Sequence, residues 1–242
     1  MTPGAPARPA AVLFDMDGTL VDTEVLWWEA AEEVAASVGH RLGAADAPEV
    51  VGRAVQDTAA HLMRVALPGS GVSLSATEAA DALTHAFHRR VAAGAPLRPG
   101  VRRLLAELER CDVPFALVSA SPRLVVDCVV QGALARVPFS FTLSADDTAR
   151  TKPHPDPYRA AAERFGADPG ACVAVEDSPD GSASAQAAGC PVLVVPSLLP
   201  VPESAGRVFA ESLEEVDLEV LSRCVAACSA GPDDGTGRSS AA

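Results

Sequence analysis

Short and almost wholly apolar runs alternate along the chain with segments in which apolar residues recur at helical spacing. Such runs are typical of parallel strands that are covered on both faces. The predicted strands lie at residues 11–14, 114–120, 171–177 and 191–196, with 139–144 as a further candidate. The predicted helices lie at residues 99–111, 122–134, 155–166 and 179–189. This alternation predicts an α/β fold built on a doubly wound parallel sheet.

One part of the chain interrupts the alternation. Residues 24–94 contain no convincing strand but include two segments with good helical spacing, 24–39 and 77–94. An all-helical block that directly follows the first strand is typical of an insertion between elements of a sheet domain. We therefore predict a helical cap at 24–94 and a core domain formed by 1–23 together with 95–228.

Composition and charge narrow the classes of partner. The 242 residues are 48% hydrophobic and carry a net charge of −13, with no local cluster of Lys and Arg. This balance disfavours nucleic acid and anionic membranes, so an anionic ligand must be met by a metal or by a few placed cations. No run has the length of a membrane span. We expect a cytoplasmic monomer, with a flexible lead-in at 1–10 and a disordered tail at 229–242.

The stretch AVLFDMDGTLVDTE, residues 11–24, carries the most chemical information. Asp15 and Asp17 lie two positions apart at the end of a predicted buried strand, where open α/β sheets bind their ligands, and Gly18 permits a sharp turn. Two adjacent carboxylates repel each other and need a cation or a shared proton, and Mg²⁺ is the cation that suits oxygen ligands. One carboxylate can then attack phosphorus while the other transfers a proton. The alternative is a pair of turn and helix-capping aspartates.

This stretch resembles the first signature of the haloacid dehalogenase superfamily, in the subgroup that includes β-phosphoglucomutase and sugar-phosphate phosphatases. Three further signatures follow in order. Ser119 ends FALVSA, Lys152 lies in TKPHPDPY, and Glu176 with Asp177 lies in VAVEDSPDG. The resemblance spans about residues 11–197 and implies a Rossmann-like core with an inserted α-helical cap.

The resemblance implies a Mg²⁺-dependent phosphomonoester hydrolase that acts through an aspartyl-phosphate on a small phosphorylated metabolite such as a sugar phosphate. Asp15 would be the nucleophile and Asp17 the acid and base, while Ser119 and Lys152 would bind the phosphoryl group. The implied metal ligands are Asp15, Asp17 through its backbone carbonyl, Asp177 and Glu176, the last either as a ligand or as a supporting acid. The further expected substrate contacts are Gly18, Thr19, Trp27, Arg53 and Ala120.

Three alternatives share the fold. A β-phosphoglucomutase-like phosphotransferase would pass the phosphoryl group to a sugar hydroxyl, but Trp27 and Val55 stand about where that mutase has a histidine and an arginine, although Arg53 lies nearby. A haloacid dehalogenase has no use for the second acid. A non-catalytic binding protein of this fold would be expected to lack Asp15, Asp17 or Lys152. These features favour transfer to water.

Overall fold

The computed structural model describes residues 8–66, 74–197 and 199–229. Within these residues, strands form one fully parallel sheet in the order β3-β2-β1-β4-β5-β6. The strands are β1 (Ala11–Phe14), β2 (Phe115–Val118), β3 (Thr142–Leu143), β4 (Cys172–Glu176), β5 (Val192–Val194) and β6 (Arg207–Phe209). The predicted α/β parallel sheet is confirmed.

The inner strands are buried on both faces, as their continuous apolar runs require. In β1, Val12 and Phe14 belong to one apolar cluster, and the alternating Ala11 and Leu13 belong to another on the opposite face. The first cluster contains side chains of α5 (Val101–Arg110), α6 (Arg123–Gln131) and α9 (Leu218–Ser229). The second cluster contains side chains of α7 (Asp156–Phe165) and α8 (Pro179–Ala188).

Between β1 and α5 the chain forms four helices and no named strand among the described residues. We call them the helical group: α1 (Glu24–Ser37), α2 (Ala47–Val50), α3 (Val55–Val65) and α4 (Ala76–Ala93). They share their own apolar cluster, to which Val34, Leu62 and Leu83 contribute. The start of α4 is fixed by a capping box, in which Ser75 and Glu78 satisfy each other's backbone N–H groups.

Some elements differ from the sequence prediction. The expected strand at 139–144 is shortened to Thr142–Leu143, and β6, α2 and α3 had no counterpart among the predicted elements. The expected flexible ends lie outside the described residues, apart from residues 8–10 and the backbone of residue 229. Ala10 donates its N–H to the carbonyl of Ala171 at 2.8 Å. Among the helices that the structure describes, none is both long and apolar enough to cross a bilayer.

Candidate active site

The candidate site lies at the carboxyl ends of the central strands, where parallel strands bring their following loops to one edge of the sheet. Asp15 follows β1, Ser119 follows β2, and Glu176 ends β4 with Asp177 directly after it. Lys152 comes from the loop that precedes α7. The topology therefore gathers the four sequence signatures at this edge.

The loop after β1 is fixed by a turn that only glycine allows. Gly18 has φ +83° and donates its N–H to the carbonyl of Val21 at 2.8 Å. A Cβ atom added at Gly18 would lie 2.1 Å from Oδ2 of Asp177, far closer than any permitted contact. The missing side chain therefore lets the first loop lie directly against the carboxylate of the fourth signature.

Lys152 joins two of the buried acids. Its Nζ lies 2.6 Å from Oδ1 of Asp15 and 2.6 Å from Oε1 of Glu176. Burial opposes the charged form of Lys152, but the charges of Asp15 and Glu176 outweigh burial and raise the pKa of its ammonium. The side chain is therefore a permanent cation that neutralises part of the acidic site.

Both carboxylate oxygens of Glu176 accept hydrogen bonds from the protein. Oε1 accepts from Lys152 and from the buried hydroxyl of Tyr158, and Oε2 accepts from Ser178 at 3.3 Å. A Cβ atom at Gly181 would lie 2.0 Å from Oε2, so the first turn of α8 also packs directly on this carboxylate. Glu176 is thus enclosed by donors and backbone.

Asp17 has a separate set of partners. Its Oδ1 accepts a hydrogen bond from Thr23 at 2.7 Å, and its Oδ2 accepts from Ser121 at 2.7 Å and from Ser119 at 3.4 Å. Burial and the charge of Asp15 raise the pKa of Asp17 to about 6, against the lowering effect of the hydroxyls. A carboxyl group with a pKa this close to neutrality can both give and take a proton in a reaction.

A divalent cation fits the group formed by Asp15, Glu176 and Asp177. Each offers a carboxylate oxygen, and these oxygens lie within 4.8 Å of one another. Oδ2 of Asp15 is buried and has no hydrogen-bond partner among the described residues. Burial, followed by the charges of Asp15 and Glu176, raises the pKa of Asp177 well above its usual value. A cation would satisfy the unpartnered oxygen and offset this repulsion.

Hydroxyl groups donate to both carboxylate oxygens of Asp177, one of the metal-ligand candidates. Thr19 donates to Oδ1 of Asp177 at 3.4 Å. Ser197 donates to Oδ2 of Asp177 and also lies within hydrogen-bond distance of Glu24. Glu24 and Ser197 were not among the residues predicted from the sequence. Their contact connects the start of α1 to the metal-ligand candidate.

A cavity of about 130 Å³ opens above these acids. Of the predicted residues, those that line it are Asp15, Asp17, Trp27, Arg53, Ala120, Lys152 and Asp177. Gly18, Thr19, Ser119 and Glu176 do not line it; they support residues that do. Ser121 lines the cavity and was missed by the sequence prediction, although it lies two positions after Ser119 in the second signature.

The helical group supplies the opposite wall of the cavity. Its apolar contributors include Trp27, Val55 and Phe87. The Trp27 ring meets Phe87 edge to face at 5.3 Å, and its indole N–H donates to the carbonyl of Val50 at 2.7 Å. These contacts hold Trp27 in place, so its ring packs between helices and also lines the cavity.

The amino-acid sequence is similar to those of known proteins. The family model of haloacid dehalogenase-like hydrolases matches residues 9–189. The plasmid-encoded protein CbbY of Cupriavidus necator is 36% identical over 211 residues, which cover 80% of this chain and 81% of CbbY. Hexitol phosphatase B of Escherichia coli is 33% identical over 193 residues, which cover 79% of this chain and 86% of that enzyme.

A solved structure is similar over nearly the same extent. CbbY from Rhodobacter sphaeroides, in a mutant form crystallised with xylulose 1,5-bisphosphate, superposes with a TM-score of 0.76 and 28% sequence identity. The match covers 86% of this chain and 96% of that one. The similarity therefore extends over most of both chains.

Proposed function

The chain belongs to the family of haloacid dehalogenase-like hydrolases, and on that basis we propose that it is a phosphatase of small phosphorylated metabolites, with sugar phosphates as the substrate class. The names of its relatives support this class, since one is a hexitol phosphatase and another was crystallised with a sugar bisphosphate. The observation that carries the proposal is the buried Asp15 carboxylate, which faces the cavity with one oxygen held by Lys152 and the other unpartnered among the described residues.

In the proposed reaction the Asp15 carboxylate attacks phosphorus and displaces the alcohol, which leaves a phosphoryl group on Asp15. Asp17 gives its proton to the leaving oxygen. Asp17 then takes a proton from a water molecule as that water attacks the phosphoryl group, which releases inorganic phosphate and restores the Asp15 carboxylate and the protonated Asp17. The near-neutral pKa of Asp17 and its three hydroxyl donors suit this exchange.

Lys152 and the hydroxyl groups near Asp17 complete the charge balance. The ammonium offsets the combined charge of nucleophile and phosphate, and its contact with Glu176 fixes where it points. We propose that Glu176 positions Lys152, because its Oε1 lies 2.6 Å from the ammonium and also accepts from the buried hydroxyl of Tyr158. Ser119 and Ser121 are proposed to orient Asp17, and Ser121, which lines the cavity, is proposed to meet a phosphoryl oxygen.

We propose Mg²⁺ as the divalent cation, held by the carboxylates of Asp15 and Asp177 and by the backbone carbonyl of Asp17. The donor set consists of oxygen atoms alone, which Mg²⁺ prefers over softer ligands. When bound, the cation supplies positive charge that lets a phosphate approach two carboxylates. The unpartnered Oδ2 of Asp15 supports this assignment.

We also propose that residues 24–94 act as a cap on the core. The two segments that connect residues 24–94 to the core run side by side. The backbone N–H of Asp22 donates to the carbonyl of Pro96 at 2.8 Å, and the backbone N–H of Arg98 donates to that of Leu20 at 3.0 Å. Gly94, with φ +137°, ends α4 just before the second connection. Closure over the cavity would exclude water other than the attacking molecule.

Release of phosphate tests the proposed function. Purified protein should release inorganic phosphate from p-nitrophenyl phosphate and from members of a sugar monophosphate panel, should lose that activity in EDTA, and should regain it with Mg²⁺. A coupled assay should detect no interconversion of glucose 1-phosphate and glucose 6-phosphate, because Trp27 cannot relay a proton between sugar hydroxyls. Interconversion of the two glucose phosphates without phosphate release would show that the enzyme transfers the phosphoryl group to a sugar and not to water.

A further inference from the structure

Cations are scarce in the cavity. Among the described residues that line it, only Arg53 and Lys152 are basic. Lys152 is occupied by Asp15 and Glu176, each at 2.6 Å. The acidic residues of the lining are Asp15, Asp17, Glu24, Asp177 and Asp180. A substrate with a second phosphate group would therefore depend on Arg53 for a counter-charge.

Arg53 already has partners at both ends of its guanidinium. Its Nε donates to the carbonyl of Pro48 at 3.0 Å, within the helical group. Its Nη1 lies 3.8 Å from Oδ2 of Asp180, in the first turn of α8. Of the ion pairs between described residues, this is the only one that joins the helical group to the sheet domain. Both side chains remain partly exposed at the cavity rim, so the pair can exchange with a ligand.

Apart from Glu24, Arg53 and Thr84, the side chains that the helical group contributes to the cavity are apolar. Thr84 donates its hydroxyl to the carbonyl of Ala80 at 2.9 Å, and the indole N–H of Trp27 donates to Val50, so both donors already have protein partners. A second phosphate placed there would lose its hydration without gaining a partner. An uncharged carbon portion would instead bury apolar surface against these side chains.

We propose that Asp180 is a specificity-determining residue, which by pairing with Arg53 makes the enzyme selective for monophosphates with an uncharged remainder and disfavours bisphosphates. The inference rests on the proposed phosphatase function and adds the charge class of the substrate. Asp180 touches neither the nucleophile nor the phosphate in this account. It acts through Arg53.

Ligand affinity tests the proposal without relying on turnover. The full chain carrying Asp15→Asn, loaded with Mg²⁺, is titrated calorimetrically with ribulose 5-phosphate and with ribulose 1,5-bisphosphate. The measured quantity is the ratio of the two dissociation constants. Adding Asp180→Asn should shift this ratio about fivefold towards the bisphosphate, because the released guanidinium can pair with the second phosphate. Asp57→Asn is the matched control, since it removes the same charge from an exposed position of α3 outside the cavity, and its ratio should stay within about twofold.

A second set of variants, made in the Arg53→Gln protein, distinguishes two causes of a shift. One is release of the Arg53 guanidinium, and the other is simple removal of the Asp180 charge, which repels a second phosphate. With Arg53→Gln present, Asp180→Asn should no longer shift the ratio towards the bisphosphate. A shift that persists without Arg53, an unchanged ratio in the Asp180→Asn protein, or binding of neither sugar phosphate would each overturn the proposal. Phosphate release by the unaltered enzyme decides the proposed function independently, so a working phosphatase with an unresponsive ratio would lose only this inference.

Discussion

The two walls of the cavity are built in opposite ways. On the sheet side, buried charged groups hold one another, as Lys152 does with Asp15 and Glu176. On the helical side, apolar rings face the cavity and the one cation, Arg53, sits partly exposed at the rim. A buried charge network tolerates almost no change, because the loss of one member leaves another buried charge without its partner. The apolar side chains of the other wall carry no charge that a substitution would leave unpaired, so their replacement should cost less. We therefore expect the sheet side to determine the chemistry, and the helical group together with Asp180 of α8 to determine which substrate is accepted.

The largest effect should follow from removing the nucleophile. Asp15→Asn keeps the shape of the side chain but cannot attack phosphorus, so kcat/KM for p-nitrophenyl phosphate should fall by about a thousandfold or more. Steady-state kinetics measures it. Asp81→Asn on the exposed side of α4 is the control and should retain activity. If kcat/KM of the Asp15→Asn enzyme stayed within about tenfold of the unaltered value, the assignment of the chemistry to the sheet wall would be wrong.

Removal of the buried cation should damage folding as well as catalysis. Lys152→Met leaves Asp15 and Glu176 buried beside each other without a counter-charge, and the free energy of unfolding should fall by about 3–5 kcal/mol. Denaturant unfolding measures this change. Arg64→Met is the comparison on the helical side, since the Arg64–Glu49 pair is exposed and its loss should matter little. Equal losses in the two variants would remove the contrast between the walls.

The support of Lys152 should have an intermediate effect. Tyr158→Phe removes the hydroxyl that donates to Glu176 inside the protein, and the free energy of unfolding should fall by about 1.5–3 kcal/mol. Because Lys152 keeps both of its carboxylate partners, kcat should fall only severalfold. Stability and kinetics of one preparation check both expectations. A loss of activity as large as that of Asp15→Asn would mean that Tyr158 takes part in the chemistry itself.

The smallest effect on the chemical step should come from the helical wall. Trp27→Phe keeps a ring against Phe87 but loses the indole N–H bond to Val50. We expect KM for the best sugar phosphate to change about twofold to fivefold while kcat stays within about twofold, because we propose that the ring contacts the carbon portion and not the phosphoryl group. A fall in kcat with an unchanged KM would contradict this expectation and would show that the helical wall takes part in catalysis.

The same contrast explains what could be predicted from the sequence. The strands at 11–14 and 171–177 and the acids that follow them were predictable, because apolar runs mark buried strands and the topology brings their ends together. Strand β6 was missed because its residues are only partly buried and lack a continuous apolar run. Helix α3 was missed because Thr58 and His61 occupy buried positions that an apolar pattern would fill.

Contacts between distant parts of the chain were beyond the reach of local patterns. Ser121 is a donor to Asp17 only because β1 and β2 are neighbours in the sheet. The pairing of Arg53 with Asp180 depends on how the helical group lies over α8, which no spacing within either segment encodes. The sequence signatures therefore predicted the residues of the chemistry better than those that select the substrate.

The central claim is that Asp15 carries the phosphoryl group during turnover, and trapping that group tests it most directly. Enzyme, Mg²⁺ and p-nitrophenyl phosphate are mixed and quenched in acid within one turnover, and the digested peptides are weighed by mass spectrometry. If Asp15 is the nucleophile, the peptide that contains it should carry one added phosphoryl group, which is lost on treatment with hydroxylamine and absent from the Asp15→Asn protein. A phosphoryl group on any other residue, or phosphate release that continues undiminished in Asp15→Asn, would contradict it.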